Sequence, residues 1–314
     1  MTAGWNRAES APSPTHAPGA HPLADDTPTL RDAEEAYEAG DIETTLAICD
    51  GIIGEDEDSA EPEVLYLAGE CLLEMQEPEE ALRLFTAALK QDGENPLLMH
   101  CKGLCLFELG RSKEAKPLFE AARAASDELA EPVYYLGVLA ERAGQDARAK
   151  ELFAAAADLD PENFVAPTEW SEADVRSAFA ELVVEVPEPF GSWLAGLPIE
   201  VRDFPKDDLL RRDESTISPL VHCIFLGEPS DGPQGEDPAG WLSATPDSVL
   251  LFRKNLGKSA SDTFELQQEV LEALLWEAME FLGLDEDALV TLGVLEVEED
   301  DGDGGDDDGG DDEA

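Results

Sequence analysis

The sequence predicts a multidomain chain: an all-α array of helical repeats over residues 28–162, then a small α+β domain over residues 170–294, between ends of low complexity at 1–27 and 295–314. Three observations lead there. Gly69, Gly103 and Gly137 recur at a step of 34, as do Ala81, Ala115 and Ala149, and Phe85, Phe119 and Phe153. Beyond Pro161 the recurrence stops, and short β-type runs alternate with turn residues. The two ends are dominated by Pro and Ala or by Asp and Gly.

A step of 34 residues is that of an antiparallel helix pair whose apolar face is too large to cover alone. Stacked neighbours supply the core and leave a concave groove. In the last full unit Leu136-Gly137 permits close helix approach, Gly144 ends the first helix, and Ala149, Phe153 and Ala156 pack the second before Pro161 stops it. The preceding unit reads Gly103, Gly110, Ala115, Phe119 and Ala122, with Pro117 expected to bend its second helix. An earlier unit reads Gly69, Ala81, Phe85 and Ala88. A weaker one begins near Leu30 with Thr45 and Cys49 at the Ala and Phe positions, which suits a capping unit.

These residues resemble the tetratricopeptide repeat, with about four units. In that family the first helix of each pair lines the groove. The resemblance then places Tyr66, Glu70, Leu73, Glu74, His100, Leu104, Phe107, Glu108, Tyr134, Val138 and Glu141 along or near it. The set is aromatic and acidic and lacks the Lys, Arg and Asn that grip a terminal carboxylate. It suits a peptide or protein partner that carries Lys or Arg, or aromatic anchors.

Charge agrees with that partner class. Net charge is −53, and the stretch from Glu296 onward holds twelve acids and no base, so the folded part is acidic as well. A phosphate backbone needs a basic footprint that is missing, which excludes nucleic acid. Acidity also serves solubility without choosing a partner, and both readings stand. No secretion signal or bilayer-length apolar run is visible, so a cytoplasmic protein without membrane contact is expected. Five cysteines without disulfide-type spacing fit a reducing compartment. His100, Cys101 and Cys105 could be drawn as metal ligands, but on a repeat helix they read as core residues. The leader 1–27 and the acidic tail 295–314 are expected to be disordered.

In the second region Ser171 caps a helix over 171–184 that buries Val175, Ala178, Phe179 and Leu182. Strands are expected at Ile199–Arg202, Leu220–Leu226 and Val249–Phe252. A long helix runs from about Asp262 to Leu282, its apolar face formed by Phe264, Val270, Leu271, Leu274, Leu275, Ala278 and Leu282.

The order of helix, Val186-Pro187-Glu188, Leu197-Pro198, strands ending in Asp203-Phe204-Pro205 and Leu226-Gly227, another strand and a long helix resembles the small bacterial zincin-like metallopeptidases. In that family the final helix carries H-E-x-x-H, followed by a Phe, a Gly and an Asp. Residues 276–285 read WEAMEFLGLD, so Glu277, Gly283 and Asp285 stand at the family's Glu, Gly and Asp, while Trp276 and Glu280 replace the histidines. Two histidines at i and i+4 present two imidazoles to Zn²⁺, and the Glu between them acts on bound water. An indole has no lone pair to offer. Glu277, Glu280 and Asp285 could at most form an acidic cluster suited to a hard cation. The plain reading makes Glu277 a solvated residue and Trp276 a cover over the lost metal cleft. His222 could approach the helix, but one imidazole does not restore the site. Ser192, Ser218 and Ser243 lack an evident His and Asp set.

The expectation is an interaction scaffold with no cofactor, whose metallopeptidase-like domain is catalytically inactive. The competing reading is a zinc-dependent peptidase with atypical ligands that recruits substrate through the repeats.

Overall fold

A computed structural model describes residues 28–54, 56–212, 215–230, 232–233 and 237–295. The expected leader 1–27 and the tail from residue 296 onward lie outside the described residues.

Eight helices form four antiparallel pairs: α1 (Leu30–Glu38) with α2 (Ile42–Ile53), α3 (Pro62–Glu74) with α4 (Pro78–Gln91), α5 (Pro96–Glu108) with α6 (Ser112–Ala125), and α7 (Glu131–Arg142) with α8 (Asp146–Leu159). Local chemistry sets their ends. Thr29 and Asp32 close a capping box on α1, Asn95 caps α5, and proline occupies the first turn of α3, α4, α5 and α7, where its missing N–H is not needed. The turn from α7 to α8 passes through Gly144 at φ +71°, a left-handed conformation that glycine adopts without a Cβ clash. Helix α6 continues through Pro117.

The 34-residue step has a direct cause in packing. A Cβ added to Gly69 would lie 2.6 Å from the Phe85 ring, one at Gly103 2.8 Å from Phe119, and one at Gly137 2.9 Å from Phe153. In each pair the ring of the second helix thus presses onto the bare backbone of the first. All three phenylalanines are buried, and Thr45 and Cys49 fill the equivalent positions of the first pair.

The second region begins with α9 (Glu172–Glu185), started by the Ser171–Asp174 capping box, then α10 (Phe190–Ala195). Strand β1 (Ile199–Arg202) pairs parallel with β5 (Ser248–Phe252), and β4 (Cys223–Leu226) pairs antiparallel on the other side of β5. A two-stranded ribbon, β2 (Arg211–Arg212) with β3 (Ser215–Thr216), and a short helix α11 (Pro238–Trp241) lie between. After β5 come α12 (Arg253–Ser259), α13 (Thr263–Leu282) and α14 (Glu286–Thr291). Alternation divides the sheet. Cys223, Phe225, Val249 and Leu251 pack with Val270, Leu274 and Ala278 of α13 and Val175, Ala178 and Leu182 of α9, while Ile224, Leu250 and Phe252 pack beneath Leu209, Ile217 and Val221.

Two local expectations need correction. The strand expected over Leu220–Leu226 is only β4, because the carbonyls of Pro219 and Val221 bond to the Asn255 side chain at 3.0 and 2.7 Å rather than to a neighbouring strand. Phe264, expected on the apolar face of α13, is 66% exposed. It precedes Val270 by six residues, which turns it about 120° away from the buried stripe. No helix among the described residues is long and apolar enough to cross a membrane.

Candidate functional site

Helix α13 carries the remnant of the metallopeptidase motif. Trp276 is 42% exposed, so it is not a buried plug. Glu277 is not a solvated residue either: it is half-buried, and its Oε2 accepts a 2.7 Å hydrogen bond from the Phe225 N–H of β4. The reason is topological. Strand β4 is an edge of the three-stranded sheet, so Phe225 has no neighbouring strand on that side, and α13 lays a carboxylate against it. Glu280 is exposed, and Asp285 caps α14 by accepting from Ala288 N–H at 2.8 Å. The acidic cluster that Glu277, Glu280 and Asp285 could at most have formed is therefore not assembled. Among the described residues no group of three His, Cys, Asp or Glu side chains could hold a metal ion.

The donor set does not fit a zinc hydrolase. The first ligand position is an indole, the second a solvent-facing carboxylate, and one oxygen of the intervening Glu accepts from a peptide N–H.

His222 does approach α13, two helical turns ahead of the motif. Its Nδ1 lies 3.2 Å from Glu269 Oε2, and its Nε2 lies 3.2 Å from Ser259 Oγ. Two of the serines without an evident His and Asp set make other bonds. Ser192 instead donates to Glu188, and the Ser218 oxygen accepts from Leu220 N–H.

In the repeats the groove residues divide into two groups. Toward the first pairs, Tyr66 and Glu70 are half-buried and Glu74 is exposed, with Tyr37 donating a 2.6 Å hydrogen bond to Glu74. Burial raises the Glu70 carboxyl above its ordinary range; bonds from Cys101 and Tyr66 oppose the rise, and the charges of Glu74 and Glu131 add to it. Leu104 is half-buried and packs toward the last two pairs.

The other group does not line an open groove. Phe107 and Val138 are wholly buried, because both face the interior of the α5–α8 stack. His100 is buried as well, its ring 5.7 Å from that of Phe119 and 5.8 Å from that of Tyr135. Desolvation lowers its pKa to about 4. Cys101 and Cys105 lie in the neighbouring core with Ala81, Phe85 and Leu98, and burial pushes both thiols far up. Tyr134 packs against Tyr135, Phe153 and Phe164.

Glu141 and Glu108 meet the chain's own second region. Glu141 is ion-paired with Lys258 at 2.6 Å and Lys254 at 3.3 Å, both from α12. Beside it Arg142 donates to the carbonyls of Pro205 and Pro219, each at 3.2 Å, and lies 5.4 Å over the Phe204 ring. Lys258 faces the same ring at 5.4 Å. Glu108 bonds Ser218, and burial raises its pKa to about 7. The end of the groove formed by α5 and α7 is thus filled in cis by lysines, an aromatic ring and two backbone carbonyls. Sequence register could not show what covers these acids.

The fold and site define a helical-repeat scaffold joined to a peptidase-like module with an altered motif. A family model of the tetratricopeptide repeat matches residues 36–99, and one of the zincin-like metallopeptidases matches residues 194–294, so the chain joins tetratricopeptide repeats to a zincin-like domain. Similar solved structures include MamA from Desulfovibrio magneticus RS-1, at 23% identity over 52% of this chain and 88% of that chain, TM-score 0.38. Another is YrrB, described as a TPR protein with an unusual peptide-binding site, at 22% identity over 49% of this chain and 73% of that chain, TM-score 0.37. No curated protein matches the chain.

Proposed function

We propose that this chain is a protein–protein interaction scaffold whose zincin-like domain lacks metallopeptidase activity and takes no zinc. The repeats support the first part, since stacked helix pairs present a concave surface to a partner. The observation that carries the second is the engagement of Glu277. A general base must face water at a metal, and here the carboxylate accepts from Phe225 N–H on a helix without the two imidazoles.

The partner surface is the end of the groove left by α1, α3 and α5, with Tyr37, Tyr66, Glu70 and Glu74 upon it. The α7 end supplies the chemical template for the ligand, because the residues that fill it in cis are two lysines and a phenylalanine against Glu141. A peptide with Lys or Arg beside an aromatic residue matches the open end in the same way. Nucleic acid does not, because carboxylates line that surface. Anisotropy titration of labelled Lys/Phe and Asp/Phe peptides tests this. Tight binding of the first only, weakened at least about tenfold in Glu70→Gln/Glu74→Gln and by salt, is the expected result. Equal binding of both peptides would overturn it.

A further inference from the structure

Ser259, His222 and Glu269 come from three separate elements and meet in one hydrogen-bonded line. Ser259 ends α12, Glu269 lies within α13, and His222 immediately precedes β4. Ser259 Oγ is 3.2 Å from His222 Nε2, and His222 Nδ1 is 3.2 Å from Glu269 Oε2. The geometry points to Ser259 as a histidine-activated nucleophile that accepts acyl groups from activated esters.

The order of the three groups fixes their roles. An ionised carboxylate only accepts, so Glu269 holds the imidazole proton on Nδ1 and leaves the Nε2 lone pair facing the Ser259 hydroxyl, which donates to it. The backbone around the imidazole is held too. His222 C=O accepts from Phe252 N–H at 2.9 Å, and Asn255, one turn before Ser259 on the same helix, bonds the carbonyls of Pro219 and Val221. The histidine and the serine are therefore tied to one short helix. His222 and Glu269 side chains are 22% and 16% exposed, so the line is sheltered yet reachable.

The chemistry balances with an ester and water. Ser259 Oγ attacks the acyl carbon while its proton passes to Nε2, and the carboxylate of Glu269 offsets the imidazolium charge. The bond to the leaving oxygen then breaks, that oxygen takes the proton from Nε2, and Ser259 remains acylated. Water attacks the acyl carbon next, gives its proton to Nε2, and the acid departs as Ser259 recovers that proton.

The same surroundings set the substrate class. Ala260 N–H donates to Leu256 O at 2.9 Å, and Ser261 N–H donates to Glu265 at 2.7 Å. The two peptide groups after the nucleophile are thus unavailable to a tetrahedral oxyanion, whose stabilisation is a large part of amide cleavage. Aryl esters and fluorophosphonates, with good leaving groups, fall within reach of this site and amides do not.

The test is covalent labelling of the full chain with a fluorophosphonate, read by intact mass and peptide mapping. The expected result is one adduct per chain, on Ser259. His222→Gln slows labelling at least about 100-fold. Glu269→Gln also slows it, and Glu269→Asp restores part of the rate, which a merely structural carboxylate would not require. Near-UV circular dichroism identifies variants that keep the fold. An adduct mapped to another residue, no adduct at all, or parental labelling in folded His222→Gln would overturn the assignment. Mapping the adduct in the unaltered protein needs no variant.

Discussion

Glu141 of α7 and Lys258 of α12 lie 2.6 Å apart with side chains only 7% and 5% exposed, a buried ion pair between residues 117 positions apart in the chain. Burial holds the Lys258 ammonium below its ordinary pKa, against the pull of Glu141. Lys254 shares the same carboxylate, and the Phe204 and Phe153 rings lie 5.4 and 5.9 Å from Lys258. This contact ties the repeats to the second domain. Removing one partner leaves the other charged and desolvated, so Glu141→Gln is expected to cost about 3 kcal/mol in urea unfolding. The double variant Glu141→Leu/Lys258→Met should recover most of that loss. If Glu141→Gln is as stable as the parent, the contact does not hold the domains together.

The Gly–Phe contacts make a second prediction. Phe119 cannot retreat easily from a Cβ at Gly103, because its other face stacks on Tyr135 with ring centroids 5.3 Å apart and planes 19° from parallel. Gly103→Ala should therefore destabilise the repeats by about 1–3 kcal/mol through overpacking, despite alanine's better helix propensity. A higher midpoint of thermal unfolding would contradict the packing explanation of the 34-residue step.

That step was legible in the sequence because the contact that causes it lies within one repeat, at a fixed separation of 16 residues from Gly103 to Phe119. Ser171, Asp262 and the long helix were legible for the same reason, since caps and periodicity are local. What covers Glu141, what Glu277 touches and where His222 points all depend on elements far apart in the chain. Register assigns Phe107 and Val138 to the first helix of a pair, yet neighbouring pairs decide whether such positions meet groove or interior. Ser259 carries no local signal, because its partners sit 37 residues before it and on the next helix.

Two titratable groups in the repeats, the buried His100 and the half-buried Glu108, pull stability in opposite directions with pH. His100 has its folded-state pKa lowered from 6.5 to about 4 by burial, and its Nδ1 has no hydrogen-bond partner. Its contribution is complete above pH 6.5 and is lost as pH falls toward 4, by up to about 3 kcal/mol. Glu108 has its pKa raised from 4.5 to about 7, again by burial, against the opposing bond from Ser218. The unfolded chain releases that proton first, so stability falls as pH rises from 4.5 to 7, by about 1–2 kcal/mol. His100→Phe should flatten the acid limb, and Glu108→Gln the limb between pH 4.5 and 7. Unfolding free energies measured from pH 4 to 8 would show whether each variant removes the slope assigned to it.

The altered motif on α13 can be tested by restoring it. Trp276 and Glu280 are both exposed, so Trp276→His with Glu280→His leaves the buried stripe of Leu274, Ala278 and Phe281 intact. The two new imidazoles, four residues apart on one helical face, should bind Zn²⁺ with a Kd in the micromolar range or tighter, against no stoichiometric binding by the parent chain. Peptidase activity should not return with the metal, because Glu277 Oε2 accepts from Phe225 N–H at 2.7 Å, which holds the carboxylate against β4 and makes it a weaker base. Competition with a chelating dye measures the first outcome and cleavage of a fluorogenic peptide the second. Parental zinc binding as tight as that of the double variant would mean that an indole and a carboxylate are no obstacle to the metal, and the proposed loss of peptidase chemistry would fall with it.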